Sequence, residues 1–285
     1  MRLNPFNANN INVRSSGRGG MPGGKAGGLG CGTIILAALG YFVFGLDPIQ
    51  TAATVKSVRQ GSSQASAVDT DAQAVCSASQ YATEACNALE SLDSTWSRTF
   101  EEHGFAAAFR RPTLDLYSAA AVNTRCGSGS AAMGPFYCPA DETIYIDTRF
   151  YDELARMAGN SGDFARYYVL AHEYGHHVQT LTGVSGQIRS AQQQSSGDGN
   201  ALQVLMELQA DCYAGVWAGK NRNLIEPGDI EEGLQAAAAI GDDRLTGGRV
   251  SEENFTHGTS RQRSEALRLG LGGDDRACDA ITQIG

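Results

Sequence analysis

From Ala26 to Leu46 the chain carries no charge, and its heart, Thr33-Ile34-Ile35-Leu36-Ala37-Ala38-Leu39-Gly40-Tyr41-Phe42-Val43-Phe44-Gly45-Leu46, is almost wholly apolar. Extended back through Cys31 and Leu29, the run reaches the ~20 residues that a membrane-crossing helix needs. Cations precede it and Asp47-Pro48 follows. The pattern predicts a single N-terminal transmembrane helix over 31–46. A cleaved signal peptide and a buried core helix are its rivals, the former weakened by the lack of a small-x-small site directly after the run. Residues 1–30 are Asn-rich and then Gly-rich without any period, which predicts a disordered head. Residues 47–73, rich in Ser, Ala, Gln and Thr, read as a linker to a folded domain over 74–285.

Beyond the linker the spacing becomes helical. Leu89, Leu92, Trp96 and Phe100 recur every three to four positions and predict a helix from Ala74 to about His103. Pro112–Ser118 alternates, with Leu114 and Leu116 set against Asp115 and Tyr117, and predicts a strand; Glu142–Asp147 predicts a second. Gly127–Gly134 between them reads as a loop. Further helices are expected over Arg149–Ala158, from a cap at Ser161-Gly162-Asp163 to about Thr182, over Ala201–Ala218, and from Glu226-Pro227-Gly228-Asp229 to about Ile240. The polar segment Ser185–Asn200 reads as a solvated connector. The expected fold is α+β, mainly helical, with a small sheet beside the helix that ends near Thr182.

That helix contains Val169-Leu170-Ala171-His172-Glu173-Tyr174-Gly175-His176-His177-Val178-Gln179. Residues four apart share a helix face, so His172 and His176 can offer two imidazoles to one ion. Of the five histidines in the chain, three lie in this stretch, and a glutamate stands where H-E-x-x-H chemistry requires one. Zinc takes imidazole nitrogens, and a catalytic zinc lowers the pKa of a bound water to about 7, within reach of Glu173 as general base. His177, five positions from His172, points away from that face and is expected at the surface or in a supporting role. A catalytic site needs a third ligand. Glu207 and Asp211 lie four apart in the next helix, where Glu207 can bind the ion and Asp211 can hold the free N–H of a ligating histidine. Solvated acids on an ordinary amphipathic helix are the alternative.

The formal net charge is −9. Residues 1–46 hold Arg2, Arg14, Arg18 and Lys25 and no acid, so the acidic excess lies entirely in the remainder, which argues against a nucleic-acid partner. The positive-inside rule then places the N-terminus in the cytoplasm and the domain outside it. Seven cysteines occur, and Cys31 adjoins the apolar run; the other six, Cys76, Cys86, Cys126, Cys138, Cys212 and Cys278, suit three disulfides in an oxidising compartment. Buried thiols are the rival. Spacing alone leaves the connectivity open, with Cys76–Cys86 and Cys212–Cys278 as guesses.

Several stretches together resemble the bacterial neutral zinc metallopeptidase family, membrane-anchored proteins with a thermolysin-like ligand pattern. They are Cys126-Gly127-Ser128, Met133 to Asp141, Tyr145-Ile146-Asp147, the histidine motif, Glu207 to Trp217, and Thr256-His257-Gly258-Thr259-Ser260 with Arg263. The resemblance implies a zincin-like domain with one zinc per chain held by His172, His176 and Glu207. It further implies a peptide or protein substrate, endopeptidase rather than exopeptidase action, and residence at the bacterial cytoplasmic membrane. With sequence proximity it suggests Cys126–Cys138. It also implies that the motif around His257 closes the site, without saying which residue acts there: His257 is a candidate for stabilising the oxyanion, with helix capping by Thr259-Ser260 as the alternative and Tyr174 and Tyr213 as further candidates. His103 is expected to be structural. In zincins the strand beside the metal helix is an edge to which substrate adds, and Glu142–Asp147 is the candidate here, an ordinary buried strand being the rival. A catalytically silent zinc scaffold or peptide binder is the competing function.

Overall fold

Helix after helix in the C-terminal two thirds of the chain buries one apolar stripe against the same central element, the helix that carries His172 and His176. The computed structural model describes residues 1–16, 68–130, 133–160, 162–194 and 199–283. The expected anchor over 31–46 and most of the expected linker lie outside the described residues. Among the described residues no helix is long and apolar enough to cross a membrane.

In chain order the elements are β1 (Asn12–Ser16), β2 (Val68–Asp69), α1 (Ala72–Cys76), α2 (Gln80–Glu102), β3 (Thr113–Tyr117), β4 (Ala121–Thr124), β5 (Gly127–Ser130), β6 (Phe136–Cys138) and β7 (Thr143–Asp147). There follow α3 (Phe150–Ala158), α4 (Asp163–Leu181), α5 (Val184–Gln194), α6 (Gly199–Lys220), α7 (Asp229–Ala239), α8 (Asp242–Leu245), α9 (Ser260–Gly270) and α10 (Arg276–Asp279). The fold is thus α+β and mainly helical, with small sheets. One sheet runs β2-β1-β3-β7-β6, with β1, β3 and β7 parallel and the two edge strands antiparallel to their neighbours. β4 and β5 form a separate hairpin.

Helix α4 is buried along nearly its whole length and on every side, which marks a helix in the middle of a core rather than at its surface. It packs on α2, α6 and α7. The approach to α6 is closest at Gly175: a Cβ there would lie 2.9 Å from Ala210 Cα and 2.9 Å from its carbonyl oxygen. Only a glycine lets the two backbones meet at that point. Because Gly175 sits between His172 and His176, and Ala210 between Glu207 and Asp211, this contact sets the four functional side chains against one another. Gly270 of α9 meets α6 similarly, its Cβ position 1.9 Å from Cys212 O.

Several expectations are corrected. Residues 1–16 are ordered: Val13 and Ser15 of β1, with Ile11 just before it, alternate inward, a period-two pattern hidden in the Asn-rich composition. The Met1 ammonium is buried between Asp163 Oδ1 (3.0 Å) and Asp229 Oδ1 (2.9 Å), and Arg2 pairs with Glu226 (2.6 Å). The helix expected from Ala74 is broken at Ser77, and Ser79 caps α2 by accepting from Ala82 N. The cap of α4 is Gly162, without a side-chain bond; Ser161 lies outside the described residues. Gly127–Ser130 is a strand, not loop, and Val184–Gln194 a helix, not connector. β7 is an interior strand with all five residues buried, so the sheet edge nearest α4 is β6.

The three disulfides are Cys76–Cys86, Cys126–Cys138 and Cys212–Cys278. They staple α1 to α2, the β4–β5 turn to β6, and α6 to the C-terminal segment.

Candidate metal centre

One helical turn separates His172 from His176, and their rings meet edge to face with centroids 4.8 Å apart. Glu207 faces both from α6: its Oε2 lies 3.2 Å from His172 Nε2 and its Oε1 3.5 Å from His176 Nε2. One ligand atom from each of the three residues falls within 4.8 Å of the others. The remaining ring nitrogens are already engaged. His172 Nδ1 donates to Asp211 Oδ1 (2.8 Å), and His176 Nδ1 to Gln179 Oε1 (2.9 Å). The Gln179 amide is oriented by its own donations to Met206 O (2.8 Å) and Gln209 Oε1 (3.0 Å), so that its oxygen can only face His176. With each Nδ1 committed in this way, it is Nε2 of both rings that faces the space beside Glu207.

Asp211 has the place expected of it, with a partner not foreseen as such. Its fully buried carboxylate accepts from His172, from Tyr168 Oη (2.6 Å), and from Arg263 through Nε (2.8 Å) and Nη2 (2.9 Å). Arg263 is itself only 1% exposed, and its Nη1 reaches Ile240 O (3.3 Å). A buried carboxylate and a buried guanidinium are each costly alone; the two-point bond between them makes both tolerable. Burial would raise the Asp211 pKa, but Arg263 and His172 outweigh it and hold the carboxyl below its ordinary value. Burial would equally depress His172, yet Asp211 and Glu207 push it up to about 10. His176 is raised in the same way, mainly by Glu207, and Glu207 is held well below the usual carboxylate range by the two imidazoles despite its burial. The pocket is therefore built around positive charge. Two imidazole nitrogens and one carboxylate oxygen, with the two rings oriented by Asp211 and Gln179, form a donor set that fits zinc.

Glu173 is buried beside this cluster, and its carboxylate has no hydrogen-bond or ion-pair partner among the described residues. Burial, partly offset by His172 and His176, raises its pKa. Of the three ligand side chains His176 is the most exposed, at 16%, so the cluster opens to solvent on its side.

His257 is not within the ligand cluster. Its Nδ1 lies 3.1 Å from Asp242 Oδ1, whose other oxygen accepts from the backbone N–H groups of Thr256, His257 and Gly258 at 2.8, 2.6 and 3.1 Å. The imidazole is half exposed. The loop that carries it rests on α6 beside Glu207, since a Cβ on Gly258 would lie 3.1 Å from Val204 and 3.5 Å from Leu208. Thr259 caps α9 in a reciprocal box with Gln262, so this motif does cap a helix as well.

The tyrosines considered as oxyanion donors are occupied elsewhere: Tyr174 Oη donates to buried Asp93 (2.7 Å) and Tyr213 Oη to Asp279 (3.2 Å). His177 is not a ligand, but neither is it at the surface; fully buried, it links Tyr137 Oη (2.9 Å) to Arg110 O (2.7 Å). His103 bonds Asp275 (2.8 Å), as befits a structural residue. A second acidic group, Asp163, Asp229 and Glu232, also has the spacing of a cation site, and the Met1 ammonium already bonds two of its members.

The family described as "Putative neutral zinc metallopeptidase" matches residues 3–281. Among curated proteins, the uncharacterized protein YpfJ of Escherichia coli (strain K12) is 46% identical over 200 residues, covering 68% of this chain and 69% of that protein. The uncharacterized protein Mb2605 of Mycobacterium bovis is 42% identical over 209 residues, covering 67% of this chain and 68% of that protein. No solved structure matches. A match running nearly from end to end, on a chain whose His172, His176 and Glu207 converge as a zinc site would need, places this protein in the neutral zinc metallopeptidase family.

Proposed function

We propose that the chain is a zinc-dependent endopeptidase with one zinc ion held by His172, His176 and Glu207. The observation that carries this reading is the pairing of a fully pre-oriented ligand set with an adjacent buried carboxylate, Glu173, that is bonded to nothing else among the described residues. A site meant only to staple α4 to α6 has no use for an uncommitted base. When bound, the zinc ion supplies a Lewis acid that activates water and polarises the scissile carbonyl.

Glu173, with its pKa raised by burial, accepts the proton that water loses on attacking the carbonyl carbon, and returns it to the departing amine. Asp211 and Gln179 keep the two imidazoles in the tautomer that presents Nε2. His257, a half-exposed imidazole whose Nδ1 is fixed by Asp242 on the loop beside α6, is the donor for the oxyanion that develops on the carbonyl oxygen. The extended substrate adds to β6, the strand at the sheet edge packed against α4, in place of the interior β7. Tyr137 of β6 is tied to α4 through His177, which fixes that edge relative to the ligands. A strand laid along the edge extends on both sides of the bond to be cut, hence internal cleavage.

The test is Glu173→Gln, with zinc content and cleavage of an unstructured protein substrate both measured. The enzyme reading expects zinc retained at one per chain and turnover reduced by at least about 100-fold, as for loss of a general base, with chelator abolishing the wild-type activity. Unchanged function with zinc in place would favour the silent scaffold.

A further inference from the structure

Gln209, Cys212 and Tyr213 stand three and four positions apart and so share one face of α6. All three grip the C-terminal segment. Gln209 Nε2 donates to Cys278 O (3.3 Å) and to Thr282 Oγ1 (2.9 Å), Cys212 is bonded to Cys278, and Tyr213 Oη donates to Asp279 (3.2 Å). Gln209 and both cysteines are fully buried. On its other side the segment borders a cavity of about 1400 Å³, which Gln209, Asp279, Thr282 and Gln283 line together with residues of α5, so nothing presses it onto Gln209 from there.

The opposite end of the same amide reaches the metal centre. Gln209 Oε1 accepts from Gln179 Nε2 (3.0 Å), and Gln179 Oε1 accepts from His176 Nδ1 (2.9 Å). A primary amide has a donor end and an acceptor end, so the direction of such a series is set where it meets a group of one kind only. Cys278 O can only accept. It takes the NH2 of Gln209, which turns the Gln209 oxygen to Gln179 and the Gln179 oxygen to His176, and the ring proton then sits on Nδ1. Turned over, Gln209 would set its NH2 against that of Gln179, which Met206 O also holds, and both side chains are buried where a lost hydrogen bond is not replaced by water. A reversed Gln179 would in turn offer NH2 to Nδ1 and leave the proton on Nε2, the atom that must face zinc.

We propose that Gln209 is a positioning residue for the metal centre, and that the Cys212–Cys278 disulfide, by keeping the C-terminal segment on its amide, makes zinc affinity depend on oxidation of the chain. The inference rests on His176 as a zinc ligand and not on catalysis. Closing the bond removes two electrons and two protons from the paired thiols; these pass to a disulfide donor of an oxidising compartment as its own S–S bond opens to two thiols. Before that step the site holds zinc more weakly, and after it the support of His176 is complete. Cys76–Cys86, which joins α1 to α2, is not part of the series.

The test measures zinc affinity of the full chain by competition with a chromogenic chelator, at a temperature where circular dichroism shows each metal-free variant folded. Cys212→Ala with Cys278→Ala and, separately, Gln209→Met are each expected to weaken zinc binding about 10-fold, the lower end for a group that supports a ligating histidine. All three changes together should cost no more than about twice the larger single effect, because they act through one amide, and Cys76→Ala with Cys86→Ala, sharing no partner with it, should stay within about twofold of wild type. Unchanged affinity on opening Cys212–Cys278, an equal loss on opening Cys76–Cys86, or full additivity with Gln209→Met overturns the proposal. A wild-type chain that binds no zinc, or binds it as tightly after His176→Ala, refutes the metal reading and this inference with it. Should the Cys212 and Cys278 variant not fold, Thr282→Val keeps the disulfide and takes one acceptor from Gln209; zinc affinity is then expected to fall about two- to tenfold, the worth of one hydrogen bond, and an affinity equal to wild type overturns the proposal.

Discussion

Replacing Arg263 by methionine keeps an unbranched stem out to about the position of Nε and removes the guanidinium and its charge. In the native protein the guanidinium makes a two-point bond to Asp211 with neither group in contact with water. Taking one partner from such a pair costs about 3–5 kcal/mol, because the other is left buried and charged. Asp211 keeps the Tyr168 and His172 donors, so the lower end of that range, about 3 kcal/mol, is expected for the metal-free protein. Zinc affinity should fall as well, by about 10–100-fold, the usual consequence of disturbing a group that orients a ligating histidine. The two losses have different origins, and Asp211→Asn separates them. Combined with Arg263→Met it removes the stranded charge, so the double variant should be more stable than the sum of the singles implies, with a coupling of about 1–3 kcal/mol. Zinc affinity should not recover, since the neutral amide no longer increases the basicity of His172. Urea unfolding with chelator present reads the first quantity, and competition with a chromogenic chelator reads the second. Additive stabilities, or a zinc affinity for Arg263→Met equal to wild type, would refute the reasoning.

Two other consequences follow from the helix core. Gly175→Ala would bring a Cβ to 2.9 Å from the backbone of Ala210, and the overpacking, about 1–3 kcal/mol, exceeds the gain in helix propensity of just under about 1 kcal/mol; a lower melting temperature together with weaker zinc binding is expected, and no change in either would show that the helix contact does not set the ligand spacing. Asp93, buried on α2 and pushed up to about 7 by that burial despite the Tyr174 hydrogen bond, stays protonated in the folded protein where the unfolded chain has ionised. The sign follows from linkage: with the folded pKa above the unfolded one, stability is complete below about pH 4 and is lost with rising pH, by about 1.4 kcal/mol per unit, until about pH 7. Asp93→Asn should flatten that part of the curve in denaturant titrations at fixed pH; an unaltered slope would assign the dependence to other groups.

The candidate ligands are legible in the sequence because their relations are local. His172 and His176 are one helical turn apart, Glu207 and Asp211 likewise, and a four-residue spacing shows which side chains share a face before any tertiary contact is known. The groups that orient them were not legible as such. Gln179 acts on His176 only because Met206 and Gln209, on another helix, turn its amide the right way round. Arg263 belongs to the motif around His257, but its bond to Asp211 spans 52 positions and exists only where α9 meets α6 at Gly270. The polar α5 failed to announce itself because only Ile188 is buried in it, so no apolar period marks it.

The N-terminal strand shows the same rule from the other direction. Ile11, Val13 and Ser15 alternate over too few residues to outweigh an Asn-rich, Gly-rich surrounding, and the partner that gives the alternation its meaning lies about a hundred positions away in β3. Composition alone therefore reads residues 1–30 as a disordered head, whereas residues 12–16 form an interior strand of the sheet. Ser16 likewise pairs with Val68, a contact between positions far apart in the chain that no local pattern announces.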